Sequence, residues 1–457
     1  MPRAGSHPLG LRRALPLEQF NPETRLRRIF QCGFIGDMAD VHVGPARDAR
    51  RFLDTDELVW FAEPSRESPA QALSGIREDQ RFAAEVADGD PAYYAGVYGV
   101  YPLTLTVPGS RQSLQQLPVS GLTFVGVHPD ERRRGVLTAM LRDHFERVRG
   151  GDWSGLSVLH ASEPAIYGRH GYGVASLETR VTLSRGATFT APTLEQEVSA
   201  LRTRLVAAGE PGVTDRMKAA AQHAGALTLG SVVRELETYE MFGRDTPQTL
   251  RDKEPQRILF ATRDGSDVGY AWFRRKQKWE EGRPDGTVEV GELVGDPAAE
   301  LALLRRLVDL DLTSSVILNG RGVDDPVLAW AGGDRSIHGP TWDSLWIRLV
   351  DLSLAMERRG YAAPVDLVLE IEDAACAWNQ GRWRLTVDEE GTGHLARTDD
   401  SPDLVLATQL LATAYLGSRS LEAARVAGLL VEQRAGAARE LDDVLRMPLV
   451  AAAAVGF

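Results

Sequence analysis

Residues 122–145 read LTFVGVHPDERRRGVLTAMLRDHF, and the way this stretch turns decides the fold. The apolar run from Leu122 to Val127 predicts a buried strand. His128-Pro129-Asp130 breaks it. Beyond Gly135 the apolar residues Leu137, Met140, Leu141 and Phe145 recur at helical spacing. Arg132, Arg133 and Arg134 then stand in the first turn of that helix, where the dipole disfavours a cation by roughly 0.3 kcal/mol or more. An anion held on the free N–H groups of the turn resolves the conflict. The bland alternative is a solvated basic surface, with Asp130 and Glu131 as counter-charges.

Working outward, the flanking patterns predict antiparallel strands upstream, over 81–86, 93–107 and 117–127. A helical pattern begins at Leu58. Downstream come a short buried strand over 156–159, a helical turn over 165–169 stopped by Gly171, and a strand over 177–183. A second block has helices over 192–209 and 214–225, then strands over 257–262, 268–274 and 287–294 and a helix over 299–310. Laying Asp296-Pro297 over His128-Pro129 puts Glu300 at the place of Arg132 and Leu303 at that of Gly135. If this block is a duplicate, its anion turn has been lost. From Leu345 the texture changes to strands at 346–349, 365–372 and 381–385 and helices over 350–359, 404–415 and 421–430. The expected class is mixed α/β, in four segments: an N-terminal extension over 1–37, then units over 38–190, 191–343 and 344–457.

Composition narrows the function. The chain has 457 residues, 43% hydrophobic and 25% charged, with a formal net charge of −12, which argues against a general nucleic-acid binder and suits a cationic small substrate. No apolar run approaches the ~20 residues needed to span a bilayer, and the N-terminus lacks the apolar core of a secretory signal. Two cysteines, Cys32 and Cys376, provide neither metal spacing nor a disulfide framework. A cytoplasmic setting without a metal is expected. The last eleven residues, Met447 to Phe457, carry no charged side chain. A tail of that kind gains by docking and takes its terminal carboxylate with it.

The turn is neither a Walker A loop nor a dinucleotide fingerprint, for it lacks Gly-Lys-Ser/Thr and has one glycine. Arg132-x-x-Gly135-x-Leu137 instead resembles the pyrophosphate loop of the GNAT acetyltransferase superfamily, with Leu137 in place of its Gly or Ala. Ile166-Tyr167-Gly168-Arg169-x-Gly171-Tyr172-Gly173 is similar to that superfamily's tyrosine segment. With Leu159-His160-Ala161-Ser162-Glu163, Trp342-x-x-x-Trp346-x-Arg348, Glu357-Arg358-Arg359-Gly360-Tyr361 and a terminal Phe457, the resemblance narrows to the Eis family of bacterial N-acetyltransferases. It covers roughly Asp40 to Phe457.

The resemblance implies tandem GNAT folds, the second no longer binding cofactor, followed by a domain like a sterol carrier protein. It also implies a homohexamer and acetyl-CoA-dependent acetylation of amines, including aminoglycosides and lysine side chains. Cofactor contacts are expected at Val125, Gly126, Val127, Arg132, Arg133, Arg134, Gly135, Val136, Leu137, Thr138, Ser162 and Glu163. By resemblance Tyr167 is the general acid, the carboxylate of Phe457 the general base, and Phe124 lines the amine pocket. A phenol at pKa ~10 can protonate a thiolate of pKa ~8.5. The acceptor expected is an aminoglycoside-like or polyamine-like cation. Competing readings are protein-lysine acetylation, and a lipid or small-ligand carrier whose GNAT domain is regulatory.

Overall fold

The computed structural model describes residues 40–457 apart from Arg66, Asp252, Asp334, Ser336 and Ala454. The expected extension over 1–37, and Cys32 within it, lie outside the described residues. The first sheet is built from β1 (Val41–Pro45), β2 (Arg81–Val86), β3 (Gly96–Pro108), β4 (Leu114–Val127), β5 (Leu156–His160) and β6 (Gly173–Val174). The second contains β7 (Leu177–Ser184) and β8 (Arg202–Ala207). Chain order then returns to the first sheet with β9 (Val232–Arg234), which pairs with β3. The second sheet resumes with β10 (Arg257–Arg263) and β11 (Ser266–Lys276). After a small hairpin, β12 (Trp279–Glu280) and β13 (Arg283–Pro284), it continues through β14 (Gly286–Gly295), β15 (Thr313–Arg321) and β16 (His338–Asp343). The third sheet follows β17 (Leu345–Leu349) and comprises β18 (Val365–Glu372), β19 (Gly381–Val387), β20 (Gly393–Arg397), β21 (Leu404–Ala407) and β22 (Val431–Glu432), in the order β20-β19-β18-β21-β22.

Two strands change places between the GNAT-like sheets. The first runs β1-β2-β3-β4-β5-β17-β6, and the second β16-β7-β15-β14-β11-β10-β8. The crossings lie side by side: Ala175 and Ser176 donate to Leu345 O at 2.9 and 3.2 Å, and Ser344 N donates to Ser176 O at 3.0 Å. The divisions expected at 190/191 and 343/344 therefore do not follow the sheets, because β7 belongs to the second sheet and β17 to the first. Alternating apolar patterns show that a strand is half-buried, not against which sheet.

Local signals explain the other departures. The first helix, α1 (Ala49–Val59), starts where Asp48 accepts from Arg50 N and Arg51 N at 2.9 and 3.0 Å and buries Phe52 and Leu53. The helical pattern expected to begin at Leu58 is the end of this helix, and Trp60 and Phe61 leave it exposed. Residues 192–209 hold a short helix, Glu195–Ala200, and then β8, whose Arg-Thr-Arg-Leu-Val-Ala pairs with β10. The expected helix over 404–415 divides into β21, parallel to β18, and a helix over Thr408–Ala414.

The third unit is tied to the first sheet by a buried ion pair. Arg348, on β17, is fully buried and donates from Nη2 to both oxygens of Asp373 at 2.6 and 2.7 Å. Asn379 and Thr408 also donate to that carboxylate, at 3.0 Å each. Removing one partner strands a charge in the interior. Asp373→Ala is expected to lower stability by about 3–5 kcal/mol, read from urea unfolding; an unchanged midpoint would show that the pair is dispensable.

Candidate active site

The cleft originates where two parallel strands part. β4 and β5 pair only through Ser120–Ser157 and Gly121–Val158, yet β4 continues to Val127 and β5 to His160. On its other side β4 stays on β3, with a register shift between Val97 and Gly99 and Phe124 in the left-handed region at φ 51°. This bulge turns the Phe124 ring toward Phe52 and Tyr101, at centroid distances of 5.8 and 6.3 Å. Val125 and Val127, both half-buried, follow along the open edge. Gly126 is covered from behind by Val59 of α1, 3.1 Å from where a Cβ would stand.

The turn after β4 is longer than the sequence suggested. Pro129–Glu131 form a short 3-10 turn, Arg133 and Gly135 have φ of 65° and 88°, and the helix that follows, α2 (Val136–Gly150), begins only at Val136. The arginines thus ring the helix N-terminus from outside instead of occupying its first turn. The N–H groups from Arg133 to Thr138 donate to no backbone carbonyl among the described residues. Arg132 and Arg133 are exposed and carry no ion-pair partner there. Arg134 differs: it donates to Glu131 at 2.6 Å and to Asp88, bracing the turn. Exposed cations around unpartnered N–H groups are the chemistry that suits an anion.

The second sheet has no such turn. The helix that corresponds there to α2, with the short α3 (Pro164–Tyr167) between the two in the chain, is α4 (Pro297–Leu307). It follows β14 across a single residue, Asp296, whose carboxylate accepts from Ala299 N at 2.8 Å and pairs with Arg263 at 2.7 Å. Cap against cap, Asp296 stands where Gly135 stands. The overlay that put Glu300 at Arg132 and Leu303 at Gly135 is thereby corrected. Glu300 is instead half-buried and paired with Arg321 at 2.6 Å, with its carboxyl raised to about 7 by desolvation.

Tyr167 closes α3. Its ring is 7% exposed and meets Tyr172 edge-on at 5.8 Å, and its hydroxyl has no hydrogen-bond partner among the described residues. Burial first, and Glu163 second, push the phenol up to about 12. Glu163 caps α3 through backbone conformation alone, and it and Ser162 are exposed. Gly171, at φ 84°, ends the turn against the Arg348 guanidinium. Gly173 lies under the helix over 408–414, where a Cβ would come within 2.3 Å of Gln409 O.

The chain terminus reaches the same region. The Phe457 ring packs on His160, at the end of β5, with centroids 4.8 Å apart. Burial lowers the pKa of His160, and that of His170 to about 4, which weakens both as bases. Ser157 and His144 stand 2.7 Å apart but are sealed in the core, with burial holding the imidazole at about 3. They form a buried relay to Tyr172, not a nucleophile. Sequence reasoning missed Asp56 on α1, whose Oδ1 has no hydrogen-bond partner. Its carboxyl is raised to about 7 by burial, against the Trp60 side chain, which lowers it. It also missed Arg234, which donates to Gly456 O at 3.0 Å. An acidic residue on an amphipathic helix and an arginine in a three-residue strand send no sequence signal.

Comparison with known proteins bears on the domains and the fold. Acetyltransferase (GNAT) domain families match residues 46–175 and 230–349, and a sterol carrier protein domain matches 352–449. An uncharacterized N-acetyltransferase of Streptomyces avermitilis is 41% identical over 360 residues, 78% of this chain and 84% of that protein. The N-acetyltransferase Eis of Mycobacterium tuberculosis is 30% identical over 353 residues, 74% of this chain and 80% of that protein. Among solved structures, Eis1 from Mycobacterium abscessus superposes with a TM-score of 0.73 at 24% identity, covering 92% of this chain and 100% of that one.

If the turn is an anion cradle, its arginines separate by role. Arg132→Ala and Arg133→Ala should each weaken coenzyme A binding about tenfold in calorimetry at low salt, as befits a charged hydrogen bond of ~1.5 kcal/mol. Arg134→Ala should chiefly lower the melting temperature. Equal binding losses from all three would contradict the division.

Proposed function

The chain belongs to the Eis-type N-acetyltransferases of the GNAT superfamily, and we propose that it transfers the acetyl group of acetyl-CoA to a primary amine of a small cationic acceptor in the first domain's cleft. What supports this reading is three separate features around the parted strands: the unpartnered N–H turn after β4, the Tyr167 hydroxyl in the segment after β5, and Phe457 packed on His160 at the end of β5. The residues fit the co-substrate. The N–H groups of Arg133 to Thr138, with Arg132 and Arg133, suit its pyrophosphate, and the β4 edge at Val125 and Val127 suits an amide-bearing arm. The second domain, with a carboxylate capping its corresponding helix, would repel that pyrophosphate.

Acetyl-CoA supplies an activated acyl carbon: the acceptor nitrogen bonds to it and its bond to sulfur breaks. The carboxylate of Phe457 takes one proton from the acceptor's ammonium, directly or through a water. The Tyr167 hydroxyl gives its proton to the departing sulfur, and the phenolate regains one from the acetylated nitrogen or solvent. At about 12, its phenol stays protonated throughout the neutral range. Half-buried Phe124, backed by buried Tyr101, is the proposed wall of the acceptor side, and Asp56 nearby keeps a buried carboxyl oxygen without a hydrogen-bond partner. Both suit an ammonium with an extended body.

Thiol release from acetyl-CoA, measured over a panel of polyamines, aminoglycosides and lysine peptides, tests the reading. Turnover with at least one small amine is expected. Tyr167→Phe should lower kcat about 10²–10⁴-fold while leaving the Kd for acetyl-CoA unchanged. A Phe variant with the parent's kcat would remove Tyr167 from the mechanism.

A further inference from the structure

The tail that ends in Phe457 follows a defined track. Ala451 N donates to Ser418 Oγ at 2.8 Å and Ala452 N to Leu229 O at 2.9 Å. Leu449, Val450 and Ala452 roof a cavity whose floor includes Gly295, Asp296 and Pro297, the turn that replaces the anion cradle in the second sheet. One residue before the terminus, the carbonyl of Gly456 meets Arg234 Nη1 at 3.0 Å.

Arg234 is an unusual donor for this place. It is 2% exposed, on β9, and is paired across β3 with Leu103. Glu292 of β14 holds it at 2.6 Å, and Tyr270 donates to that carboxylate at 2.7 Å. The guanidinium carbon lies 4.3 Å from the Tyr239 ring centroid and 5.3 Å from that of Phe242. The other groups facing this region are Tyr101 and, beyond it, Asp56 on the first-domain side. On the Phe457 side stands His160, which in turn feels Glu178 and Asp343. A buried salt bridge is costly to desolvate, and an apolar pair would serve stability as well.

We propose that Arg234, neutralised by Glu292, is a positioning residue that fixes the C-terminal carboxylate for proton abstraction while withholding net positive charge from it. The inference rests on the proposed role of the Phe457 carboxylate as base. A guanidinium fixes the Gly456 carbonyl with a directional donor. Left unpaired, it would also stabilise the ionised carboxylate and weaken it as a base. Glu292 cancels that field, so the second domain guides the tail without cost to its basicity.

The pH profile of kcat/KM for a turned-over amine distinguishes this from a purely structural pair. In Glu292→Gln the cation is uncompensated. The acid limb should therefore move about one pH unit lower and the plateau should fall several-fold, with KM for acetyl-CoA unchanged. The double variant Arg234→Met, Glu292→Met removes both charges together and is the safer fold. It should keep the acid limb in place while kcat drops at least tenfold. Superimposable profiles for Glu292→Gln, or a double variant within twofold of the parent kcat, would overturn the proposal. A chain extended by one alanine after Phe457 is run in parallel. If it retains the full rate, the carboxylate is not the base and the underlying reading fails. If it loses activity while the Glu292 and Arg234 variants behave as the parent, only the positioning role fails.

Discussion

Everything in the site depends on β4 and β5 ceasing to pair after Gly121 and Val158. Two parallel strands in register leave no space between them, and their backbone groups satisfy each other. Here β4 is bent by the bulge at Phe124 and kept on β3, so its far edge looks into a wedge. The same separation places Val127 at one rim and His160 at the other. The turn after Val127 supplies N–H donors and exposed cations; the segment after His160 supplies Tyr167. Because the opening is made by backbone geometry, its rims are the ends of two strands instead of long loops.

The second sheet has the corresponding strands and helix without the site, and the difference is one of chain length and charge. Between β4 and α2 lie eight residues, 128–135, and between β14 and α4 lies one, Asp296. Eight residues allow Arg133 and Gly135 to turn left-handed and leave the six amide donors of residues 133–138 without a backbone acceptor among the described residues. A lone aspartate uses its carboxylate to cap the helix and brings the opposite charge. In the proposed reading, a domain that lacks the basic turn still serves the reaction by carrying the tail. The pair Arg234–Glu292 and the floor at Gly295–Pro297 sit along that track.

How much of this was legible follows from the range of each signal. Local patterns sufficed for β2, β18 and the helix over 213–225, since apolar periodicity is recorded within each segment. The basic turn was readable because Arg132, Arg133 and Gly135 are neighbours in sequence. The strand exchange was not: β7 and β17 look like any half-buried strand, and their sheets are chosen by crossings at Ser176 and Leu345 far apart along the chain. Arg134 could not be told from its neighbours until Asp88 was seen beside it. Similarly, Leu404–Ala407 looks helical in isolation but is drawn into a sheet by β18. Tyr167 and Phe457 entered as site residues by family resemblance, because nothing local marks a tyrosine in a short helix or a terminal phenylalanine as reactive.

What joins these parts is the far end of the chain, brought to His160 by an uncharged tail. The most direct measurement is the turnover of a chain lacking Phe457, with and without small carboxylates such as formate added to the assay. The account predicts that the truncated protein binds acetyl-CoA normally, transfers acetyl at least a hundredfold more slowly, and regains part of its rate as formate rises. Turnover at the intact chain's rate without any added carboxylate would contradict it.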